Sequence, residues 1–517
     1  MPFAKRAAAL ALAACLFLTG CGAQPEADSA PAPSPTPTPA AAANSDKLVL
    51  GYTPGDGFNP FLTGSTLVRQ NAGLLFEKLV EIGPDMSIVY RLASSIDVLD
   101  LQAVIHIRGG ATFADGTPVT AEDAAASIEA ARTSPLYSGQ LANVTKVEVS
   151  DGAVVLTLAQ PDSLFSYLCD IPVLKASEVA SANPTSSGRY IYSEGTLVEN
   201  TRCLFAEDGQ PEEIGLAEVS SYNEMVSGLT VGSLNLYQTS ELSDSPSGVA
   251  SSLSYYRTNN LIFLGVNAAA AQDNTMLAPL LGTAAGRGLL SQIIDRRILA
   301  EKGYYSRAYP ATGAINSFYP CVLAQQVILP EAQLDEASAR ASLAALGYTE
   351  NAMDGFFYTA DGQKLTVRLL VYSGNTYKRY AASLLADQLE AVGVAVTLEQ
   401  ADDFEVFREK VLLGDFDLYI GEVKLYNNMD MSPFMEGGGA SAGIVQSETL
   451  TAAYNAFRGN MSAAGAYEAA FAAEMPFVPL LWRNGTVVHT RSIDGLTSSI
   501  SNVFYSLGQL RFASEDS

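Results

Sequence analysis

Histidine is nearly absent from this chain of 517 residues, which contains only His106 and His489. Both lie in segments that read as strands, so we expect structural or surface roles for them. Multi-histidine zinc sites and Ser-His-Asp triads therefore lack the residues they need. Acid pairs such as Asp402 and Asp403 stand where helices begin, which is typical of capping residues and not of a glycosidase pair. We predict a protein that is not an enzyme and needs no cofactor.

Basic residues are also scarce, with 30 Lys and Arg against 55 Asp and Glu and a formal net charge of −25. A surface this acidic repels nucleic acid, so we expect no nucleic-acid partner. Beyond the N-terminus there is no run of about 18 apolar residues, which argues against a membrane-spanning helix. The length leaves room for two or three domains.

The N-terminus carries Lys5 and Arg6, then an apolar run over residues 7–18 and the sequence Leu18-Thr19-Gly20-Cys21. This pattern predicts a signal peptide over residues 1–20. Its end resembles a bacterial lipobox, which implies lipid attachment at Cys21; a chance cysteine after an ordinary signal peptide is the alternative. Residues 21–46 then form a Pro/Ala-rich tether, able to reach on the order of 70 Å if extended. We expect a protein anchored by lipid to the extracytoplasmic (periplasmic or extracellular) face of the cell membrane.

Three cysteines remain in the mature chain, Cys169, Cys203 and Cys321, with no Cys-x-x-Cys spacing. An exported compartment permits a Cys169–Cys203 disulfide, and three separate buried thiols are the alternative. The sequence leaves both open.

The most informative stretch covers residues 103–132. A strand is predicted over residues 103–108, a turn at Asp115-Gly116, and a helix over residues 121–131 that begins with the capping-box pair Thr120 and Asp123. The segments His106-Ile107-Arg108, Phe113-Ala114-Asp115-Gly116 and Thr120-Ala121-Glu122-Asp123 resemble the signature of family 5 extracellular solute-binding proteins of ABC transporters, of the oligopeptide- and dipeptide-binding type.

Residues 365–423 predict strands at 365–372, 394–398 and 416–423 that alternate with helices at 377–392 and 404–413. This alternation is typical of a βαβαβ unit with a parallel sheet. Further predictions are strands at 48–52 and 261–267, helices at 71–79 and 283–300, and a hairpin over residues 144–158.

The resemblance implies an α/β, two-lobed, periplasmic-binding-protein-like (class II) fold with an additional α+β insert domain in the first lobe. We predict a first lobe of residues 47–60, 161–265 and 477–517, an insert over residues 61–160, and a second lobe over residues 266–476. Hinge closure is expected at crossings near residues 264–268 and 475–481.

Ligands of α/β sheets lie beyond the carboxyl ends of the strands, where two loops of the second lobe stand out. The resemblance implies that Tyr377, at the start of a helix, takes a ligand carboxylate, with Lys378 and Arg379 beside it. The alternative for these two cations is a solvated surface role.

The loop 424–433 is the second candidate. Peptide-binding relatives have an aromatic residue here and an Asp four residues before a Pro, which pairs with the ligand ammonium. In this chain Met429 has that spacing, Asp430 is one residue late, and Tyr426 replaces the aromatic residue. The predicted ligand-binding residues of this loop and of the facing loop of the first lobe are Asp430, Tyr426, Asn427, Asn428, Phe58 and Asn59.

These features predict the lipid-anchored, monomeric substrate-binding component of an ABC importer. It would capture a peptide or similar small polar ligand and deliver it to the permease complex. A relative for a metal chelate or an oligosaccharide, or a ligand-sensing lipoprotein, are the alternatives.

Overall fold

The computed structural model describes residues 47–239, 251–324 and 333–512. The predicted signal peptide, Cys21 and the tether lie outside these residues. Within the described ranges, no helix is long and apolar enough to cross a membrane.

The N-terminal part of the chain supplies one strand of a large sheet and then builds a smaller sheet of its own. Its elements are β1 (Val49–Tyr52), α1 (Thr66–Leu75), β2 (Val80–Ile82), β3 (Ile88–Tyr90), β4 (Ala93–Leu99), β5 (Gln102–Ile107), α2 (Ala121–Thr133), β6 (Val144–Ser150) and β7 (Ala153–Leu158). The smaller sheet has the order β4-β5-β7-β6 and is antiparallel. The predicted hairpin over residues 144–158 is confirmed.

The start of α2 follows from its sequence. Thr120 accepts a hydrogen bond from the Asp123 amide, and the Asp123 carboxylate accepts one from the Thr120 amide at 3.0 Å. This reciprocal capping satisfies two amides that a helix N-terminus leaves unpaired. Gly116 adopts a φ of +87° in the preceding turn, a conformation that glycine accepts without steric cost. The predicted strand, turn and capped helix are confirmed.

The prediction of a helix over residues 71–79 was wrong in its limits. Ser65 caps the helix by accepting a hydrogen bond from the Val68 amide, so α1 begins at Thr66 and ends at Leu75. The chain is then extended, with Lys78 in a β-bridge to Pro172. α1 packs against β1 and two other strands of the large sheet.

The middle of the chain completes one half of the large sheet. Its elements are β8 (Tyr190–Ser193), β9 (Thr196–Glu199), β10 (Glu213–Glu218), α3 (Tyr222–Val231), β11 (Leu236–Thr239) and the long β12 (Ser251–Val266).

The remainder of the chain forms the other half of the sheet and returns to the first. Its elements are α4 (Ala268–Ala271), α5 (Ala284–Ile293), α6 (Arg296–Ile298), β13 (Ala308–Pro310), α7 (Pro320–Ala324), α8 (Glu336–Ala345), β14 (Thr349–Glu350), β15 (Phe357–Tyr358), β16 (Thr366–Tyr372), α9 (Thr376–Ala391), β17 (Ala395–Ala401), α10 (Phe404–Leu413), β18 (Leu418–Lys424), α11 (Glu448–Gly459), α12 (Ala464–Glu474), β19 (Val478–Thr490), β20 (Ile493–Asp494) and β21 (Arg511–Phe512).

The single helix predicted over residues 283–300 is broken. α5 ends at Ile293, and the Asp295 side chain accepts hydrogen bonds from the amides of Arg297 and Ile298. Such a cap favours a new helix start over continuation of the old one.

The large sheet has the order β17-β16-β18-β12-β19-β11-β1-β10-β9-β8, with β13 also on β19. β16 pairs in parallel with both β17 and β18. The predicted parallel βαβαβ unit is confirmed.

Two large hydrophobic cores flank this sheet. One includes Phe165 and Phe504 and is shared with the small β4-β5-β7-β6 sheet. The other includes Phe263 and Trp482 and packs around β16 and β18. We call the part of the chain that surrounds the first core the first lobe, and the part that surrounds the second core the second lobe. The section of the first lobe that carries the small sheet, with the helix and loops between its strands, is the insert.

Two long antiparallel strands, β12 and β19, join the lobes. Residues 251–256 of β12 pair with residues 490–485 of β19, and residues 260–264 pair with residues 483–478. The register shifts between Tyr256 and Asn260. β11 pairs with residues 486–489 of β19, beyond the shift along that strand, and β18 pairs with residues 260–266 of β12, also beyond the shift. The crossing strands therefore change neighbours at residues 257–259.

Candidate ligand-binding site

An inner cavity of about 110 Å³ lies beside the crossing strands. The first lobe and its insert, the crossing strand β12 and the loop after β18 all contribute to its wall. The lining residues are Arg69, Lys78, Leu136, Tyr137, Gln140, Asp170, Tyr256, Thr258, Asn259, Asn260, Lys424, Leu425, Tyr426, Asn427, Ile500 and Ser501.

A wider outer cavity of about 1010 Å³ lies between the insert and the second lobe. The insert contributes residues 139–143, and the second lobe contributes the loop 426–436 and the helix α11. Gln140 and Tyr426 line both cavities. The two cavities are therefore neighbours along one cleft.

Tyr426 reaches from the second lobe to the insert at Gly139. A Cβ added at Gly139 would collide with the Tyr426 hydroxyl and ring. Tyr426 is nevertheless 46% exposed, so its ring remains accessible from the cleft. The aromatic residue predicted for the site thus stands where the inner and outer cavities meet.

The loop after β18 holds its other predicted residues through internal hydrogen bonds. The Asn427 side chain accepts a hydrogen bond from Asn259 at 3.1 Å, and its carbonyl accepts one from the Tyr319 hydroxyl at 2.7 Å. Asp430 lines the outer cavity, and its Oδ1 accepts from the Ser432 amide at 2.9 Å and the Tyr454 hydroxyl at 2.7 Å. These hydrogen bonds connect the loop to β12 through Asn259 and to α11 through Tyr454.

Asn428 connects the loop to the chain between the insert and the first lobe. Its Nδ2 donates to the fully buried Asp162 at 2.6 Å, and Arg458 of α11 forms an ion pair with Asp162 at 2.8 Å. The Asn428 Oδ1 is buried without a hydrogen-bond partner among the described residues. Burial raises the pKa of Asp162, against the opposing effect of Arg458. This pair fixes one contact between the two sides of the outer cavity.

The start of α9 lies apart from both cavities. Tyr377 is buried, accepts a hydrogen bond from Arg307 and stacks on Tyr304 at 5.8 Å. Lys378 forms an ion pair with Glu422 at 2.9 Å, and Arg379 is exposed. Tyr377, Lys378 and Arg379 do not line the inner or the outer cavity.

Glu422 organises the cations beside the crossing. It pairs with Lys378 at 2.9 Å and with Arg483 of β19 at 2.6 Å. Burial alone would raise the pKa of Glu422, but the two cations hold that pKa at about 2. Lys378 therefore already has a carboxylate as partner, whose side chain is 15% exposed.

In the first-lobe loop that contains Phe58 and Asn59, both side chains already contact other residues of the protein. The Asn59 side chain is fully buried and donates to the carbonyls of Val179 and Ser181 at 2.9 and 2.7 Å. The Phe58 ring packs on Tyr192 at 4.8 Å. Neither Phe58 nor Asn59 lines the two cavities.

Sequence reasoning overlooked Arg69, Lys78 and Asp170, which line the inner cavity. Lys78 forms an ion pair with Asp170 at 4.0 Å and donates to the Ser501 carbonyl at 2.5 Å. Lys424 lies at the start of the loop that the sequence singled out, but was given no role. A basic residue in α1, on a helix whose start was misplaced, carried no recognisable signal.

His489 and the three cysteines of the described residues have structural surroundings, whereas the His106 side chain is 51% exposed. His489 is buried and bonds to Ser254 and the Thr490 carbonyl, both at 2.9 Å. Cys169, Cys203 and Cys321 are all buried and free, so the structure has three separate thiols and no Cys169–Cys203 disulfide. The described residues contain no cluster of three or more His, Cys, Asp or Glu that could hold a metal ion.

Residues 87–444 match the family model of bacterial extracellular solute-binding proteins, family 5. The match covers more than half of the chain. The chain belongs to this family. No protein of curated function matches it in sequence.

Solved structures share the fold of this family 5 protein. The oligopeptide-binding protein AppA from Bacillus subtilis, in complex with a nonapeptide, is 17% identical with a TM-score of 0.52, covering 90% of this chain and 99% of AppA. A nickel ABC transporter structure from Bacillus halodurans is 14% identical with a TM-score of 0.71, covering 90% and 100%. The murein tripeptide-binding protein MppA, in its unliganded open form, is 17% identical with a TM-score of 0.71, covering 91% and 98%. The predicted two-lobed α/β fold of a family 5 solute-binding protein is confirmed.

Proposed function

We propose that this protein is the lipid-anchored substrate-binding component of an ABC importer. It captures a peptide or a similar small polar ligand between its lobes and delivers that ligand to the permease. Cys21 is the attachment point of the lipid, and the protein acts as a monomer on the extracytoplasmic face of the membrane.

One observation carries the proposal: the inner cavity is walled by both lobes and by a strand that joins them. Clefts between lobes are preferred sites for small ligands. A ligand in this position contacts both lobes at once, so its binding energy favours the arrangement in which they are close.

Hinge motion fits the crossing strands. We place the hinge at residues 257–259 of β12 and the facing residues of β19, where the register shifts and the strands change neighbours. Few residues need to change dihedral angles there, because the ladder is already interrupted. This position lies before the predicted crossings at residues 264–268 and after those at 475–481.

Among the predicted binding residues, we assign the ligand to the side of Tyr426, Asn427 and Asp430. Asp430 borders the outer cavity with an acceptor oxygen that no described residue engages, which suits a ligand ammonium group. Tyr377, Lys378 and Arg379 remain secondary candidates, since the first two already have protein partners.

Native mass spectrometry of the purified full chain tests the proposal. The expected result is a bound small molecule, because a cleft of this kind retains tight ligands. A bound peptide supports the peptide assignment, whereas a metal chelate or an oligosaccharide identifies a relative for non-peptide ligands. The proposal is overturned if neither mass spectrometry nor a thermal-shift screen of peptide, chelate and sugar pools detects binding.

A further inference from the structure

The inner cavity has an excess of positive charge. Arg69, Lys78 and Lys424 contribute cations to its lining, whereas Asp170 is the one carboxylate among the residues that line it. The chain as a whole has a net charge of −25. A cationic lining inside so acidic a protein is a local feature that its composition does not predict.

The charges of Lys78 and Asp170 compensate each other. Their charged atoms are 4.0 Å apart. Lys78 also donates to the Ser501 carbonyl at 2.5 Å, and Asp170 accepts from Gln140 at 2.7 Å and from the Ser501 hydroxyl at 3.0 Å. This pair is a closed structural unit in the first lobe.

Arg69 and Lys424 have no such partner. No carboxylate among the described residues forms an ion pair with either side chain, and both remain accessible to solvent. The nearby Glu422 is already paired with Lys378 and Arg483. Two positive charges in the cavity are therefore uncompensated by the protein.

Arg69 and Lys424 line the same inner cavity, where their positive charges repel each other. Desolvation first, and then the positive charges of Arg69 and Arg483, lower the pKa of Lys424. The phenols of Tyr137 and Tyr256 line the same cavity, and burial raises the pKa of both, so they supply no negative charge. An anion in the cavity would relieve this repulsion.

The two uncompensated cations also come from different lobes. Arg69 is on α1, which packs on the first half of the large sheet, and Lys424 ends β18 of the second half. A group that binds both side chains joins the lobes at the hinge end of the cleft.

We propose that the ligand carries a carboxylate that binds between Arg69 and Lys424 and links the two lobes. This inference rests on the proposed ligand-binding function and specifies its ligand as a small organic anion. Charge-assisted hydrogen bonds from a guanidinium and an ammonium to one carboxylate are among the stronger polar contacts. The rest of the ligand passes Tyr426 and extends into the outer cavity.

Calorimetry with the purified full chain tests the inference. The probes are a tripeptide pool with free C-terminal carboxylates, the same pool as C-terminal amides, a pool of neutral oligosaccharides, and inorganic phosphate. The variants Arg69→Met and Lys424→Met remove one charge each and retain apolar volume. Lys302→Met is the matched control, because Lys302 is an exposed lysine that lies outside both cavities.

The expected result is binding of the free-acid pool, weakened about tenfold or more in each site variant and unchanged in the control. Equal binding of the amide pool, or binding of the neutral sugars with no loss in either variant, overturns the carboxylate inference and leaves the proposed function standing. Binding of phosphate as tight as that of the free-acid pool overturns the assignment to an organic ligand. The absence of binding to every pool overturns the carboxylate inference, and the proposed function falls with it only if native mass spectrometry and the thermal-shift screen also detect no ligand.

Discussion

Tyr426 of the second lobe and Gly139 of the insert meet across the cleft, and only the absence of a side chain at residue 139 permits this contact. Tyr426 lines both the inner and the outer cavity. The position of one aromatic ring thereby determines how the two cavities are separated.

A Gly139→Ala substitution displaces Tyr426, because the new methyl group would occupy the position of the hydroxyl. We expect about tenfold weaker ligand binding by calorimetry, with thermal stability changed little since Tyr426 is 46% exposed. Gly109→Ala is the control, because a Cβ at Gly109 meets nothing within 4 Å in the same insert. Unchanged affinity in Gly139→Ala would remove Tyr426 from the site.

Asp430→Asn separates the charge of this residue from its structural hydrogen bonds. The asparagine oxygen can still accept from Ser432 and Tyr454, so the loop should keep its shape. If Asp430 binds a ligand ammonium, tripeptides with free amino termini bind at least about tenfold more weakly to the variant. N-acetylated tripeptides should bind both proteins equally. An equal loss for both peptide sets would contradict the ammonium role.

The Asp162 side chain is fully buried, and Arg458→Met removes the cation that forms an ion pair with it. The expected cost in the free energy of unfolding is about 3 to 5 kcal/mol, measured by urea denaturation. Arg408→Met is the matched control, because its ion pair with Glu405 is more than half exposed and should contribute less than about 1 kcal/mol. Similar losses of the free energy of unfolding in the two variants would contradict a larger contribution of the buried ion pair to stability.

Glu468 of α12 should make stability dependent on pH. Its buried carboxylate accepts hydrogen bonds from the amides of Ala314 and Ile315 at 3.0 and 2.5 Å, and burial raises its pKa to about 7. The folded state therefore holds a proton that the unfolded chain has released. Between about pH 4.5 and pH 7, rising pH removes stability from the wild type, on the order of 3 kcal/mol in total.

Glu468→Gln lacks this titration, so its free energy of unfolding should fall less than that of the wild type as the pH rises through this window. Urea denaturation of both proteins at about pH 4.5 and pH 8 measures the difference. Parallel losses in the two proteins would assign the pH dependence to other groups.

Local patterns predicted the fold well where the signal was local. The capping pair Thr120 and Asp123 and the alternating segments of residues 365–423 encode their structure in neighbouring residues. Predictions were wrong at helix limits that depend on one cap, such as Ser65 for α1 and Asp295 for α6. In both places a polar capping side chain, and not the spacing of apolar residues, determined where the helix begins.

The site was less accessible from the sequence because its residues converge from distant segments. Tyr426 and Asp430 were recognised within one loop, but Arg69 and Lys424 are separated by most of the chain and meet only in the folded protein. Lys378 illustrates the opposite limit: its position suggested a carboxylate ligand, whereas Glu422 already pairs with it.

The distance between the walls of the outer cavity is the most direct test of ligand capture by lobe closure. Spin labels at Ala142→Cys on the insert and Glu436→Cys on the second lobe report this distance by electron–electron resonance. The thiols of Cys169, Cys203 and Cys321 should not compete for the label, since they are buried and burial raises the pKa of Cys203 to about 12 and of Cys321 to about 11. A concentration of the ligand found by native mass spectrometry that saturates this protein, but not the more weakly binding Lys424→Met variant, should shorten the distance in this protein more than in the variant. A distance that stays the same in the fully bound protein would contradict closure around the ligand.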